Sequence, residues 1–233
     1  MQNIIKQKKP PFIVLKLGGL HPYIKFGEIS YQDEYYFKDL SDKDVKRIPK
    51  KDNKQLKEQP LWINLYEEGM FVLPLRHIKL LYKDKNGNIQ KSLYAVSNCI
   101  EYGCRSTLDT KSYFIYGPES QMSKLLSLKR HNCYGDDLNS LPDIEFAFYD
   151  INVNRNRKIS SRVLTLTLEP KDYMISINEG GIDDEREMNC VPGFGTTGTQ
   201  FGWNFGIMFM KKFLIAYDFE EERIGFVRIS EDL

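Results

Sequence analysis

The residues best suited to chemistry lie in one short stretch, CIEYGCRSTLDTKSYFIYGP, which covers residues 99–118. At its centre, Asp109 is followed by three polar side chains, those of Thr110, Lys111 and Ser112. A solvated aspartate is ionised at neutral pH and can act as a weak base. Because hydrolysis of a peptide also needs an acid to protonate the leaving amine, Asp109 alone does not make a hydrolase.

The histidines and cysteines do not form a recognisable metal site. His21, His77 and His131 are scattered along the chain, and no two cysteines have the C-x2-C spacing of common zinc sites. We therefore expect no metal and no cofactor. Four cysteines allow three disulfide pairings, and reduced thiols in a cytosolic chain are the alternative to disulfides. The four are Cys99, Cys104, Cys133 and Cys190.

Composition is that of a globular chain rich in β-structure. Its 233 residues suit one domain or a tight pair with a sizeable core, and 13% are aromatic, which favours strands. A net charge of +1 argues against a nucleic-acid-binding surface. No apolar run approaches the ~18 residues of a spanning helix, so we expect no membrane span. The N-terminal sequence MQNIIKQKKPP lacks the apolar core of a signal peptide, which taken alone favours the cytosol.

Strand patterns dominate the chain. Residues 12–17 form a short apolar run that predicts a strand. Two alternating runs within residues 77–96 are joined through Asn86 and Gly87, the strongest short hairpin signal. A second hairpin is predicted over residues 213–229, around an acidic turn.

Two further alternating runs predict strands at residues 144–149 and 163–168. The polar stretch between them, residues 150–162, predicts an exposed loop. Residues 40–58 are highly charged, and we interpret them as a solvated loop. A binding patch for an acidic partner is the functional alternative for that segment.

One main helix is predicted in the middle of the chain, with Pro118 at its first helical position. Met122, Leu125, Leu126 and Lys129 follow the i, i+3, i+4, i+7 spacing of a helix face.

The residues around Asp109 resemble the segment around the second catalytic aspartate of pepsin-like eukaryotic aspartic proteases. That segment commonly reads GC-x4-DTGTS-x3-GP and aligns with residues 103–118 without a gap. Asp109 and Thr110 match the motif. Downstream, CYGDDLNSLPDIEFAF, LTLEPKDYMI and GWNFGIMFMKKFLIAYDFEEERIGFV resemble later motifs of the same family, in the same order. The resemblance covers nearly the whole chain.

The resemblance implies an all-β fold: one C-terminal-type lobe of the bilobal pepsin-like β-barrel fold, with one main short helix after the aspartate loop. We expect this lobe to occupy residues 1–233 as one domain. Each lobe of the family supplies one DTG-type aspartate, but the sequence contains no second D-[ST]-G. The nearest string, GTTGT at residues 195–199, has no acidic residue before its threonine. The N-terminal lobe is therefore expected to be absent from this sequence.

The resemblance also implies roles for the residues of the loop. Asp109 stands at the second-lobe aspartate, and Lys111 stands where a glycine approaches the catalytic pair and holds a carboxylate oxygen through its N–H. The lysine cation is expected to favour the ionised aspartate, against proton sharing. Ser112 is expected to replace in part a threonine that bonds to the other lobe. Tyr113 stands where a serine donates to the outer carboxylate oxygen, and it is too large to donate from there.

A second segment resembles the element behind the family's active loop. Asn204, Phe205 and Gly206 match its hydrophobic-hydrophobic-glycine pattern, with asparagine in the first apolar place. Gly206 is expected to permit a close backbone approach, and a short helix is expected after it. Trp62 and Trp203 are expected in the core rather than in a substrate-binding site. The structural alternative for Asp109 is a loop aspartate that bonds nearby backbone N–H groups.

The resemblance selects one of the cysteine pairings, Cys99–Cys104 and Cys133–Cys190. Two disulfides imply folding in an oxidising compartment, and the family is mainly secretory, vacuolar or lysosomal. This expectation conflicts with the missing signal peptide. A truncated sequence, or one cut from a longer precursor, would reconcile the two.

The function implied by the resemblance is aspartic-type endopeptidase, a hydrolase of peptide or protein substrates in which two carboxylates share one proton. Because this chain supplies one such aspartate in a degenerate motif, we expect it to be inactive alone, with a missing N-terminal lobe as its partner. One alternative is a catalytically dead pseudo-protease that binds peptides or proteins. Another is a homodimer that joins two Asp109 side chains across a two-fold axis.

Overall fold

The described residues fall into two compact units. The first contains the described residues up to Phe71 together with those from Met210 onward, and the second contains those from Val72 to Phe209. Among these residues, no helix is long and apolar enough to cross a membrane. The extent of the predicted lobe, residues 1–233, stays a prediction. The computed structural model describes residues 12–18, 22–26, 61–67, 70–97, 99, 103–128, 131–132, 138–152, 158–177, 189–198 and 202–229.

The described part of the chain is mostly β-structure, which confirms the predicted all-β class. It has three α-helices: α1 (Glu119–Leu126), α2 (Pro170–Tyr173) and α3 (Ile207–Met210). Its strands are β1 (Phe12–Lys16), β2 (Tyr23–Phe26), β3 (Leu61–Asn64), β4 (Val72–Lys83), β5 (Ile89–Val96), β6 (Cys104–Leu108), β7 (Ile115–Pro118), β8 (His131–Asn132), β9 (Asp143–Asn152), β10 (Lys158–Leu168), β11 (Met174–Ile177), β12 (Asn189–Pro192), β13 (Phe194–Thr197), β14 (Trp203–Phe205), β15 (Phe213–Asp218) and β16 (Arg223–Arg228).

A five-stranded antiparallel sheet forms the first unit, in the order β2-β1-β15-β16-β3. Strands β15 and β16 are the predicted hairpin over residues 213–229. Asp218 closes its turn by accepting the backbone N–H groups of Glu220 and Glu221 and the Nε–H of Arg223. Because Asp218 is only 1% exposed, these three donors satisfy a carboxylate that water cannot reach. One hydrophobic cluster of this unit consists of the aliphatic side chains of Val14, Leu214, Ala216 and Val227.

An eight-stranded sheet dominates the second unit. Its order is β10-β9-β4-β6-β14-β7-β13, with β5 paired to β4, and a three-stranded sheet β11-β12-β8 completes the unit. Strand β14 lies between β6 and β7, parallel to β6 and antiparallel to β7. Because β6 ends at Leu108, beside Phe205 of β14, this arrangement places residue 109 at the edge where the two strands end together.

Four phenylalanine rings fill the space behind this edge of the second unit. Phe205 stacks on Phe209 of α3 with ring centroids 4.7 Å apart, and Phe146 of β9 meets both rings edge-on at 5.3 Å. Phe148 adds an edge contact to Phe205 at 6.1 Å. All four side chains are fully buried, so this part of the sheet rests on a rigid aromatic core.

The predicted hairpin at Asn86 and Gly87 is confirmed by strands β4 and β5. Its turn is held by Asp84, whose Oδ1 accepts the backbone N–H groups of Asn86 at 2.8 Å and Asn88 at 2.9 Å. Gly87 has a φ of 81°, a conformation that glycine adopts without strain.

Strand β10 alternates as predicted, because Leu164, Leu166 and Leu168 are buried while Thr165 is exposed. The prediction for residues 144–149 is correct as a strand but wrong in its alternation. Ala147 of β9 is fully buried, as are its neighbours Phe146 and Phe148. Ala147 is small and pairs with His77 of β4 on one side and Thr165 of β10 on the other, so larger side chains cover it.

The predicted loop over residues 150–162 is shorter than expected. Strand β9 continues to Asn152 and β10 begins at Lys158, with an irregular register between Ile159 and Val163. Cross-strand pairing therefore extends into the polar stretch. The charged segment at residues 40–58 lies outside the described residues.

The predicted helix is present as α1, but its details differ from the prediction. Pro118 is the N-cap rather than the first helical residue, since its ψ of 135° is extended. Met122 and Leu125 are fully buried, whereas Leu126 is 48% exposed. The helix ends at Leu126, and its buried face is narrow, consisting of Met122 and Leu125. Lys129 lies outside the described residues. The short helix predicted after Gly206 is present as α3.

A disulfide between Cys99 and Cys104 anchors the start of β6, the strand that leads to Asp109. Gly103 completes the small loop with a φ of 76°, and its N–H donates to the Cys99 carbonyl at 2.8 Å. The other predicted pair is only partly described: Cys190 is disulfide-bonded, and Cys133 lies outside the described residues.

We predict that replacing both Cys99 and Cys104 by serine lowers the free energy of unfolding by roughly 2 kcal/mol, the chain-entropy value for so short a loop. Urea denaturation of the double variant and the oxidised wild type measures the difference. An unchanged midpoint at equal slope would mean that the disulfide does not stabilise the β6 end of the sheet.

Candidate active site

Asp109 is held at the point where β6 leaves the sheet. Its backbone N–H donates to the Phe205 carbonyl of β14 at 3.0 Å. The Ser112 N–H reaches back to the Asp109 carbonyl at 3.3 Å and closes a turn over residues 109–112. The sheet therefore fixes the start of the loop, and the turn brings residues 111 and 112 back over the Asp109 side chain.

Both carboxylate oxygens of Asp109 accept hydrogen bonds from its own loop. The Lys111 backbone N–H donates to Oδ1 at 2.9 Å, and the Ser112 hydroxyl donates to Oδ2 at 2.6 Å. These donors hold the pKa of Asp109 below its usual value, with the Ser112 hydroxyl as the largest cause and the Lys111 N–H next. Partial burial opposes the shift, and the Lys111 ammonium adds to it. The side chain is thus held as an oriented carboxylate.

The structure gives the hydroxyl donor role to Ser112, one position earlier than the resemblance implied. The side chain of Tyr113 is 46% exposed and meets Phe114 edge-on, with ring centroids 5.5 Å apart. The reason is the turn, which places residue i+3 beside residue i. The D-x-x-S spacing in a turn is a signal that sequence reasoning could have used. The bond expected from Ser112 to another lobe stays a prediction.

Lys111 contributes the backbone N–H that the resemblance assigns to a glycine at this position, because its bond to Asp109 uses only that group. Its side chain is exposed, and no carboxylate in the described ranges forms an ion pair with it within 4.0 Å. Thr110 is also exposed and is not among the groups that shift the pKa of Asp109. The turn therefore combines the hydrogen-bonded carboxylate of Asp109 with the exposed ammonium group of Lys111, which forms no ion pair among the described residues.

Gly206 lets two backbone segments meet behind the loop. A Cβ at this position would lie 2.3 Å from the Phe114 carbonyl oxygen and 2.5 Å from that of Ser112. The Gly206 N–H donates to the Phe114 carbonyl at 3.1 Å. The next two N–H groups, of Ile207 and Met208, donate to the carbonyls of residues 112 and 113, both at 2.9 Å. Gly206 is thus required for close approach, as the sequence predicted.

Asn204 stands where the resemblance implies an apolar residue, and its side-chain oxygen accepts a hydrogen bond there. The Thr107 hydroxyl of β6 donates to Asn204 Oδ1 at 2.9 Å across the parallel pair. Thr107 could not be identified from the sequence, because Asn204 comes close to it only in the folded sheet. Trp203, the preceding residue, is fully buried as predicted, and its indole N–H donates to Gln121 of α1 at 2.9 Å. Trp62, the other tryptophan predicted in the core, is only partly buried, because its strand β3 lies at the edge of the five-stranded sheet.

The structure therefore brings Asp109, Lys111, Ser112, Phe205 and Gly206 together. Thr110 and Tyr113 lie on the same loop but do not contact the carboxylate through any described bond. Such a site can accept a proton or orient a water molecule, and it has no described acid to protonate a leaving group. Across the described residues, no cluster of three or more His, Cys, Asp or Glu side chains can hold a metal ion.

We predict that Gly206→Ala destabilises the chain by about 3 kcal/mol, because its methyl group would collide with two backbone carbonyls that cannot move independently. Gly198→Ala is the matched control, since a Cβ there meets nothing within 4 Å. Urea denaturation should separate the two variants. Equal stability would contradict the close approach at Gly206.

We predict that Ser112→Ala raises the pKa of Asp109 more than Lys111→Gln does, while Thr110→Ala leaves it unchanged. A depressed carboxyl pKa contributes stability above the unfolded value, and that stability is lost as the pH falls through the folded pKa. In Ser112→Ala the contribution is therefore smaller, and its loss is complete at a higher pH than in the wild type. NMR titration of the Asp109 carboxyl carbon measures each value, and a larger effect in the Thr110 variant would contradict the assignment.

Comparison with known proteins places these features in a family. The family profile described as eukaryotic aspartyl protease matches residues 50–229. Plasmepsin VII of Plasmodium falciparum (isolate NF54) is 29% identical over 138 residues, which cover 56% of this chain and 29% of that protein. Plasmepsin VI of Plasmodium berghei (strain Anka) is 24% identical over 170 residues, covering 70% and 34%.

A renin of Echis ocellatus is 28% identical over 135 residues, covering 53% of this chain and 29% of the renin. The matched region thus spans between 29% and 34% of the length of these three curated relatives. The family profile covers well over half of the chain and includes Asp109, its turn and Gly206. The chain therefore belongs to the eukaryotic aspartyl protease family.

Proposed function

We propose that Asp109 is one of the two carboxylates of a pepsin-type aspartic endopeptidase site, and that the 233-residue chain does not cleave peptides by itself. The observation that supports this role is the held carboxylate. Both of its oxygens have donors, from the Lys111 N–H and the Ser112 hydroxyl, and its loop is bonded to the backbone at Gly206. Asp84 shows that a simple hairpin turn can hold an aspartate through backbone N–H groups in a similar way, so the catalytic role of Asp109 is assigned from its place in the resembling motif as well.

One carboxylate is insufficient for the chemistry. Two carboxylates about 3 Å apart cannot both ionise, so one keeps a proton and serves as the acid while the other activates water. Asp109, held as an anion, supplies the base. A carboxyl group from elsewhere, with an N-terminal lobe as the expected source, must supply the acid. The substrates implied by this chemistry are peptides or proteins.

A catalytically dead pseudo-protease is the second candidate, and one observation favours it. Lys111 contributes a cation that lowers the pKa of Asp109, in addition to its N–H bond. This charge opposes the proton sharing that the two-carboxylate mechanism requires. A protein of this kind would bind an extended peptide beside Asp109 without cleaving it.

The test is a proteolysis assay with an unstructured protein substrate between about pH 3 and 7, a range that includes the upper apparent pKa of a carboxylate pair. The purified chain is assayed alone and mixed with a pepsin-type N-terminal lobe that has an intact DTG motif. Asp109→Ala is the inactive control, and a transition-state-mimicking aspartic protease inhibitor identifies the activity.

We expect no cleavage by the chain alone, and inhibitor-sensitive cleavage, dependent on Asp109, in the mixture. Cleavage by the chain alone that disappears in Asp109→Ala would contradict the proposal and favour the homodimer. No cleavage in either setting, with the peptide still bound, would favour the pseudo-protease.

A further inference from the structure

We infer that the Asp109 loop also selects its peptide, and that it prefers an extended segment with an acidic side chain next to an aromatic or large apolar one. The inference rests on the proposed function, because it takes a peptide at Asp109 as given. It names the chemical class of that peptide from the side chains that the loop presents to solvent.

Two exposed aromatic rings, those of Tyr113 and Phe114, lie on the loop, and the half-buried ring of Tyr116 lies beside Phe114 on β7. We call these three rings the aromatic surface. Tyr113 is 46% exposed and Phe114 is 37% exposed, and their rings meet edge-on at 5.5 Å. Phe114 lies 6.2 Å from the ring of Tyr116, which packs so closely on Gly195 of β13 that a Cβ there would be 2.6 Å from it. Neighbouring exposed aromatic rings are a surface that apolar ligand side chains bind.

This aromatic surface is rigid before any peptide arrives. The carbonyls of Ser112, Tyr113 and Phe114 each accept a backbone N–H from residues 206–208. Because the backbone is already fixed, binding restricts only the rotation of the side chains. This reduces the entropy cost of association.

Within residues 109–114, Lys111 is the only exposed charged residue, two positions before Tyr113. Asp109 is partly buried, and both of its oxygens already accept hydrogen bonds. The Lys111 side chain is exposed, and no ion pair within 4.0 Å engages it in the described parts of the chain. An acidic peptide side chain therefore gains a partner at Lys111. The Asp109 anion repels a second acid placed directly over it, so the acidic group belongs on the Lys111 side.

The experiment measures binding, without cleavage, of short fluorescein-labelled peptides to the 233-residue chain by anisotropy at low salt. The peptides are identical except at two adjacent positions, which read Glu-Phe, Gln-Phe, Lys-Phe or Glu-Ala. We expect the Glu-Phe peptide to bind most tightly. Replacing Glu by Gln should weaken binding about two- to fivefold, because an exposed ion pair usually contributes that much to affinity. Replacing Phe by Ala should weaken it about tenfold, because less apolar surface is buried.

Two variants and two matched controls assign these preferences to the loop. Lys111→Gln should remove the difference between the Glu and Gln peptides, whereas Lys85→Gln, at an exposed lysine in the β4–β5 turn, should keep it. Tyr113→Ser should reduce the preference for Phe over Ala. Ile89→Ser, at a 57% exposed residue of β5, should not.

The inference is overturned if no peptide binds at millimolar concentration, if the four peptides bind equally, or if Lys111→Gln keeps the preference for Glu. Its failure is distinct from failure of the proposed function. Cleavage of an unstructured substrate by the chain mixed with an N-terminal lobe, together with equal peptide binding, would remove only the selectivity. Selective binding without cleavage in any mixture would remove the protease and leave the selectivity.

Discussion

The site depends on a single close approach of backbone to backbone at Gly206. Three successive N–H groups, of residues 206–208, bond to the carbonyls of residues 112–114. The distances in these bonds leave no space for a side chain at position 206. The buried phenylalanines behind the sheet support the same segment, since Phe205 and Phe209 flank the contact on either side of Gly206. The rest of the aspartate loop takes its shape from this contact.

The same geometry explains which substitutions the loop accommodates. At position 111 the bond to Asp109 uses the backbone N–H, so a lysine stands without loss of that bond where the resemblance leads us to expect a glycine. The exposed Lys111 side chain adds a positive charge that lowers the pKa of Asp109, while the backbone bond of the loop uses only the Lys111 N–H. At position 206 no such freedom exists, because a Cβ would meet carbonyl oxygens directly. The backbone shape of the loop therefore does not depend on the side chain at position 111, whereas it does depend on the absence of a side chain at position 206.

Most of the strands could be predicted from local sequence patterns. The Asn86-Gly87 hairpin and the alternating leucines of β10 follow from turn chemistry and side-chain period, which need no tertiary information. The burial of Ala147 and the exposure of Leu126 could not be predicted, because both depend on which neighbours cover a position in the folded sheet. Spaced motifs pointed to Asp109 and Gly206. The donor role of Ser112 was missed, since it arises from the turn rather than from alignment with a motif.

The most direct test of the central claim, that the loop holds Asp109 as an oriented carboxylate, is the pH dependence of the Lys111 amide proton shift. If the Lys111 N–H donates to Oδ1, its resonance must report the ionisation of Asp109. We predict a large shift with a midpoint below the ordinary aspartate pKa of 3.8. An amide resonance that does not change as Asp109 titrates, or one that changes with a midpoint above 3.8, would contradict it.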